Sequence, residues 1–413
     1  MPYNGALTCQ WVFAMSETQL PAVILRKNKD RRLRAGHLWV YSNEVDTRKT
    51  PLSGFEPGAA VVVQTSTGKP IGTGYLNPHS LICTRLLTRR PSAVFDTAFF
   101  VQRIETALEL REALFESPHY RLVYGEGDDL PGLVVDRYAD VLVVQITTAG
   151  MEHCKAAILE ALQQVMKPRG ILLRNDGPVR MLEQLELYTE TIGEVPARVT
   201  LEEGGTRFEL PLGEGQKTGW FFDQRSNRLA MHKYVRERRV LDVFSYVGAW
   251  GVQAARAGAT EVCCVETSAL AQELLVKNAA SNTVEGIVRL EAGEAFQVLK
   301  EMRAERRRFD VVIVDPPAFI KRRKDIRNGE QAYSRLNQQA MQLLAPGGFL
   351  ISSSCSMHLA AERLQEILQQ AAHHLGRRLQ VVERGFQAMD HPVHPAIPET
   401  AYLKTLFCRL LPA

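Results

Sequence analysis

An acid and a thiol, Asp315 and Cys355, each stand at the end of a short apolar run, a placement that could do chemistry on a flat ring. In FDVVIVDPPAF (Phe309 to Phe319), Val311, Val312, Ile313 and Val314 suit a buried strand of a parallel sheet. Pro316 and Pro317 stop it, because proline cannot donate to the ladder and pushes its predecessor into an extended conformation. Asp315 is left at the strand's carboxyl end. In APGGFLISSSCS (Ala345 to Ser356), a turn, an apolar strand and a polar strand end carry Cys355. Two neighbouring strands ending in an acid and a thiol could hold both groups against one planar ring. Each group also has a plainer explanation, since Asp-Pro is a common turn and a cysteine is most often a small core hydrophobe. The serines before and after Cys355 make its surroundings polar and weigh against the second of these.

The elements that must position the pair form an alternation of strand and helix. VLDVFSYVGAWGVQAARAGA (Val240 to Ala259) reads as strand, glycine-containing turn and helix; EVCCVETS is a second strand ending in Glu266, and IVRLEAGEAF a third ending near Glu294. FDVVIVDPP and FLISSSCS are the fourth and fifth. This is a doubly wound α/β sheet, which binds ligands at the carboxyl ends of its strands. The first turn, SYVGAWG, has only Gly248 and Gly251 where a dinucleotide fold requires GxGxxG. A glycine near the ligand and an acid, Glu266, ending the second strand suit a nucleoside without phosphates, whose ribose hydroxyls the acid accepts. S-adenosylmethionine is the common cofactor of that description, and a dehydrogenase is the formal competitor. Upstream, FELPLGEGQKTGWFFDQR (Phe208 to Arg225) reads as a β-hairpin and a helix start capped by Asp223.

The rest of the 413-residue chain has room for two or three domains, and 45% hydrophobic with 23% charged residues is ordinary globular composition. No stretch approaches the ~18 consecutive apolar residues of a membrane span. The seven cysteines lack CxxC spacing, so neither a zinc site nor a disulfide framework is expected, no metal is assigned, and a reducing cytoplasm fits. From Pro21 to about Arg90, short strands and glycine turns predict a small β-rich barrel or sandwich. Within it Arg26, Lys27, Lys29, Arg31, Arg32 and Arg34 precede His37, Trp39 and Tyr41, a basic run beside aromatics that suits phosphates and stacked bases. A solvated loop before a core Trp39 is the plainer alternative. A helix from Asp96 to about Leu114, a hairpin over Leu133 to Ile146 and a second helix make a small central domain. Lys321, Arg322, Arg323 and Lys324 directly follow DPPAF and also read as a nucleic-acid contact, although the net charge of +4 alone shows none. HPVHP (His391 to Pro395) suggests packing or a substrate-side loop more than a metal.

Together LDVFSYVGAWG, VETS, DPPAF, PGGFLISSSCS, GQKTGWFFDQR, HLWVYSNEV and YGEGDDLPGLVVDRY resemble the bacterial large-subunit ribosomal RNA cytosine-C5 methyltransferases with an amino-terminal PUA domain. The resemblance covers nearly all the chain after residue 20. It implies a PUA RNA-binding domain over 21–94, a central α+β domain over 95–200, and a hairpin plus Rossmann-like methyltransferase domain over 201–413. The seven-stranded sheet of that last domain ends in an antiparallel strand, here Tyr402 to Leu410. The implied cofactor contacts are Lys217, Thr218, Phe222, Asp223, Gln224, Arg225, Asp242, Phe244, Ser245, Tyr246, Gly248, Glu266, Thr267, Ser268, Gly293, Glu294, Asp315 and Pro316. Gln216 stands where histidine is expected, and AGEAF keeps one acid, Glu294, where two are usual, which puts the adenine contact there in question. The implied partner is large-subunit ribosomal RNA; the oligomeric state stays open, a homodimer being one option.

Such an enzyme needs these residue types because cytosine C5 is too weak a nucleophile to take a methyl group directly. Attack at C6 by a thiolate, Cys355, makes C5 an enamine carbon, and an acid at N3 or the exocyclic amine, Asp315, stabilises the developing charge. The sequence does not identify the base that removes the C5 proton. Methylation of a base nitrogen is the rival reading, because DPP followed by an aromatic also resembles exocyclic-amine methyltransferases. A non-catalytic RNA-binding protein of the same fold is the second alternative.

Overall fold

A computed structural model describes residues 20–213 and 219–412. The chain divides at Val94 and Phe95 into two units, each with its own core. In the first, β1 (Ala22–Ile24), β2 (Trp39–Val40), β3 (Ala59–Gln64), β4 (Pro70–Leu76) and β5 (Thr84–Thr88) form one sheet in the order β1-β3-β4-β5-β2, with a single helical turn, α1 (Arg31–Arg34), in the basic run. Val23, Val40, Val61, Val63 and Leu86 are fully buried beneath it.

The second unit opens with α2 (Thr97–Leu114), which starts where Asp96 accepts the Phe99 amide at 2.9 Å. A five-stranded sheet follows, in the order β10-β9-β8-β7-β6, from β6 (His119–Tyr124), β7 (Leu133–Tyr138), β8 (Val141–Ile146), β9 (Gly170–Asn175) and β10 (Tyr188–Gly193). Strands β8 and β9 are parallel, so the connection must cross over, and α3 (Ala149–His153) and α4 (Lys155–Met166) supply it. Next comes the hairpin β11 (Arg198–Glu203) and β12 (Thr206–Pro211), turned by Gly204 and Gly205 at φ 59° and 70°, the left-handed values a two-residue turn requires. The hairpin therefore lies earlier than Phe208 to Arg225. Nor does Asp223 cap a helix: Phe222–Gln224 is a 3₁₀ turn, and α5 (Arg225–Val235) starts without a side-chain cap.

The final sheet contains β13 (Arg239–Val243), β14 (Glu261–Glu266), β15 (Val288–Ala292), β16 (Phe309–Val314), β17 (Leu344–Ser354), β18 (Arg377–Phe386) and β19 (Lys404–Pro412), in the order β15-β14-β13-β16-β17-β19-β18. It is parallel from β15 to β17, whereas β19 runs antiparallel to both β17 and β18. The connecting helices are α6 (Gly251–Arg256), α7 (Ala269–Ser281), α8 (Ala295–Ala304), α9 (Ile326–Leu343) and α10 (Ala361–His374). Residues along β16 alternate between two cores: Val311 and Ile313 pack with Val240 and Phe407, while Val312 and Val314 pack with Leu241 and Leu350. All four β16 residues are fully buried, each contributing about 1.5–3 kcal/mol, which explains the unbroken apolar run. The last strand begins at Lys404 rather than Tyr402, and β18 was not foreseen.

Candidate active site

Strands β16 and β17 are in register from Val311–Phe349 to Val314–Ser352, so Asp315 and Cys355 emerge from adjacent strands at the same sheet edge. Both line a cavity of about 520 Å³ together with Phe222, Asp223, Gln224, Tyr246, Trp250, Pro316, His391 and Tyr402. Asp315 is held by two donors: Gln224 Nε2 to Oδ1 at 2.9 Å and Trp250 Nε1 to Oδ2 at 3.0 Å. Gln224 is itself oriented, since its Oε1 accepts from Asn227 Nδ2 at 2.7 Å. The carboxylate is thus fixed in plane at the cavity wall.

Cys355 is half-buried, and the serines around it do not make its neighbourhood wet. Ser352, Ser353, Ser354 and Ser356 are all buried. The Ser354 hydroxyl donates to Tyr333 Oη at 2.8 Å, and Ser356 Oγ lies 3.0 Å from the same phenol. The polarity seen in the sequence is interior hydrogen bonding. Burial pushes the thiol up to about 12, the Asp315 and Asp223 carboxylates add to the rise, and Lys404 opposes it. Lys404 faces Ser354 across β17 and β19, its Nζ donating to Ser356 O at 2.5 Å and Tyr402 O at 2.8 Å. Desolvation lowers this ammonium to about 8.

The turn after β13 holds the other end of the site. Phe244, Tyr246 and Gly248 have φ of 69°, 52° and 88°, so backbone strain of order 1–3 kcal/mol is stored at each of the two non-glycine positions. A Cβ on Gly251 would lie 2.3 Å from Cys264 Sγ, so α6 packs onto β14 only with glycine there. Asp242 lies beneath the turn, fully buried, accepting the Gly251 amide at 2.9 Å; its Oδ1 has no partner among the described residues. Burial raises its carboxyl to about 7, against hydrogen bonds from Gly251 and Ser245 that lower it. Glu266 accepts the amides of Tyr246, Thr267 and Ser268, each at 2.8 Å. Three amide donors fix this carboxylate in one orientation and leave its outward lone pairs for hydroxyl groups.

Several expected cofactor residues have other work. Arg225 is a correction: its guanidinium bonds Glu203 at 3.3 Å and the His119 carbonyl, and stacks over Phe115 and Phe222. Glu203 is the centre of a buried cluster, bonded also by Arg228 Nε at 2.5 Å, Trp220 Nε1 at 2.8 Å and Gln253 Nε2 at 2.8 Å. Burial alone would raise its carboxyl, and the two guanidiniums reverse that, so it stays ionised. The cluster fixes Trp220 and α5, one wall of the cavity. Glu294 caps α8 through the Gln297 amide at 3.1 Å. Glu266, Thr267, Ser268, Gly293 and Glu294 stand at the ends of β14 and β15, further along the sheet than the cavity lining. Lys217 and Thr218 lie outside the described residues.

Of the basic residues, Arg26, Lys27, Lys29, Arg31 and Arg34 are exposed, Arg34 pairing with Asp30 at 2.6 Å, whereas the half-buried Arg32 pairs with Glu44 at 2.8 Å and stacks on Tyr41, serving the local fold. Trp39 is half-buried with its ring edge-on to His37. Lys321, Arg322, Arg323 and Lys324 are exposed along the loop and the 3₁₀ turn Arg323–Asp325 that lead into α9, and make no ion pair among the described residues. Cations at the positive end of a helix are unfavourable without an anion, which suits a polyanionic ligand. Lys404, Asp390 and Tyr402 were missed as site residues, because only the reversed strand brings them to this edge; His391, read from HPVHP as packing or a substrate-side loop, lines the cavity.

Residues 187–409 match the S-adenosylmethionine-dependent methyltransferase family, and residues 23–89 match a PUA-like domain. The chain belongs to this methyltransferase family. Ribosomal RNA large subunit methyltransferase I of an Enterobacter species is 34% identical over 395 residues, covering 94% of this chain and 99% of that protein. The enzyme of the same name from Klebsiella pneumoniae is 34% identical over 403 residues, covering 96% and 100%. Among solved structures, a putative methyltransferase complexed with SAH superposes with a TM-score of 0.81 at 20% identity, covering 94% of this chain and 100% of that one. The fold is therefore that of a methyltransferase and the cofactor is S-adenosylmethionine. The donor set fits it: a carboxylate preorganised by amides at Glu266, a strained turn with Gly248, and an apolar-walled cavity next to them. No helix among the described residues is long and apolar enough to cross a membrane.

Proposed function

We propose that this protein methylates C5 of a cytosine in large-subunit ribosomal RNA, in the cytoplasm, through a covalent bond between Cys355 and C6. The observation that carries the reading is the placement of Cys355 and Asp315 on neighbouring strand ends, facing one cavity large enough for a flipped base. In this reading Glu266 accepts the ribose hydroxyls of S-adenosylmethionine, and the turn Phe244–Gly248 with Phe222, Gln224 and Pro316 encloses the rest. Bound there, the cofactor supplies an electrophilic methyl group. Asp315 accepts a hydrogen bond from the base at N4–H or protonated N3, turning the ring so that C6 meets the thiol. As sulfur adds to C6, electron density moves to C5, and the fixed carboxylate stabilises the tautomer that carries it. Lys404 favours the thiolate form of Cys355, and the cavity wall keeps water from the adduct. The exposed cations at 26–34 and 321–324 bind the RNA backbone.

RNA carrying 5-fluorocytidine at the target tests this. Fluorine replaces the proton that must depart, so wild-type protein should remain covalently attached, and Cys355→Ala should lose both the adduct and turnover. The two donors already fixing Asp315 favour a second reading, in which the carboxylate accepts an exocyclic amine that is itself methylated. Methylation by Cys355→Ala at the wild-type rate would establish that reading instead.

A further inference from the structure

The adduct on Cys355 is released only when a base takes the C5 proton, and the groups lining the cavity narrow the choice. Asp315, already holding two donors, is taken up with the N3 and N4 edge of the base, on the side of the ring away from C5. Asp223 Oδ2 accepts from Tyr402 Oη at 2.5 Å, and its Oδ1 is sealed from the cavity. Arg121 is bidentate to Asp136, and burial keeps the phenols of Tyr246 and Tyr402 protonated. His391 remains. It lines the cavity, only 2% exposed, and its Nδ1 lies 2.9 Å from Asp390 Oδ1.

Asp390 is itself completely buried, its Oδ2 accepting the Arg121 amide at 3.0 Å. Burial works to raise this carboxyl, but the His391 hydrogen bond and charge hold it at about 2. An ionised carboxylate at Nδ1 fixes the imidazole proton there and leaves the Nε2 lone pair outward. Nε2 has no hydrogen-bond partner among the described residues and is not one of the sealed polar atoms. The ring is braced against Tyr124 at 4.9 Å, and its loop is tied to the cavity wall by the Ala388 amide donating to Asp223 O at 2.8 Å. A ring serving only to pack has no need of a buried carboxylate behind it, because burying that charge is costly.

We propose that His391, oriented by Asp390, is the general base that removes the C5 proton from the methylated adduct. Nε2 takes the proton; the C5–H electron pair becomes the C5=C6 double bond; the C6–S bond breaks and its pair leaves on the Cys355 sulfur. The imidazolium then returns the proton to the thiolate, restoring both groups. This proposal rests on the cytosine-C5 reading.

The test uses full-length protein, large-subunit ribosomal RNA transcripts and S-adenosylmethionine labelled in its methyl group. His391→Asn keeps an N–H donor for Asp390 and deletes Nε2. It should transfer one labelled methyl group per protein, accumulate a methylated protein–RNA adduct, and turn over roughly 10²–10⁴-fold more slowly. Adduct formation on 5-fluorocytidine RNA should be unchanged, since that step needs no base at C5. Normal turnover by His391→Asn, with the fluorinated adduct still forming, overturns the role of His391 and leaves the cysteine reading intact. No fluorinated adduct with wild-type protein removes the cysteine reading first. If His391→Asn fails to bind cofactor by calorimetry, His391→Gly with added imidazole decides: restored turnover supports the base, and none with cofactor bound overturns it.

Discussion

Replacing Asp315 with asparagine should move two rates in opposite directions. The Cys355 thiol lies at about 12 against 9.0 for an ordinary cysteine, so its thiolate is roughly 10³-fold scarcer at neutral pH. Asp315 is the larger of the two carboxylates contributing to that rise. Removing one neighbouring like charge from a partly buried thiol is worth roughly one to two pKa units. Asp315→Asn should therefore speed alkylation of Cys355 by iodoacetamide roughly 30-fold, read by peptide mapping so that the other cysteines do not interfere. Alkylation needs the thiolate, so both proteins should quicken tenfold per pH unit from 7 to 10, with the variant's curve displaced to lower pH. Addition to 5-fluorocytidine RNA should instead slow by about 10²-fold or more, the usual loss when a charge-stabilising group is removed from a site of this kind. Alkylation that is unchanged or slower would refute the reasoning, since Asp315 would then not act on the thiol.

Glu266→Ala should weaken cofactor binding by ~1–3 kcal/mol; calorimetry showing wild-type affinity removes Glu266 from the site. Glu203→Gln leaves two buried guanidiniums without their counter-charge and should cost about 3–5 kcal/mol in urea denaturation, an unchanged midpoint showing that the cluster is not what secures the cavity wall. Exchanging Lys27, Lys29 and Arg31 together for glutamine should reduce the slope of log K for RNA against log salt by roughly 0.7–0.9 for each phosphate no longer neutralised, at unaltered cofactor affinity. Identical slopes would make the exposed run ordinary solvated surface.

Asp315 and Cys355 were legible because strand ends are marked by what stops them: two prolines in one case, a change from apolar to polar residues in the other. Glu266 followed from its place at the end of the second strand. Strand β18 was missed because RRLQVVERGF alternates half-buried and exposed residues along a sheet edge, where charge masks the two-residue period. The Gly204–Gly205 turn carries a plain hairpin signal, outcompeted by the denser glycines further on. Arg225 and Arg32 looked like ligand-binding cations, but a guanidinium's destination depends on which carboxylate the fold brings near, and Glu203 and Glu44 come from other elements. Lys404 was hidden for a topological reason, being far in sequence from every motif it joins, whereas HPVHP was read as packing or a substrate-side loop without the cavity that His391 lines.

The reversal of β19 changes which part of the chain can be varied to alter what the protein accepts. Every parallel strand offers the segment that follows it to the ligand edge, whereas β19 offers the segment before it, residues 387–403. That segment is anchored at one end by the Gln387 amide bonding the carbonyls of His391 and Thr400, and at the other by Lys404 on Ser356. Its middle, from Pro392 to Ala396, lies between fixed posts. A library confined to those five positions would vary the loop that follows the cavity-lining His391 while leaving the turn after β13 and the ends of β14 and β15 untouched, so the setting of His391 and cofactor use become separately adjustable by engineering.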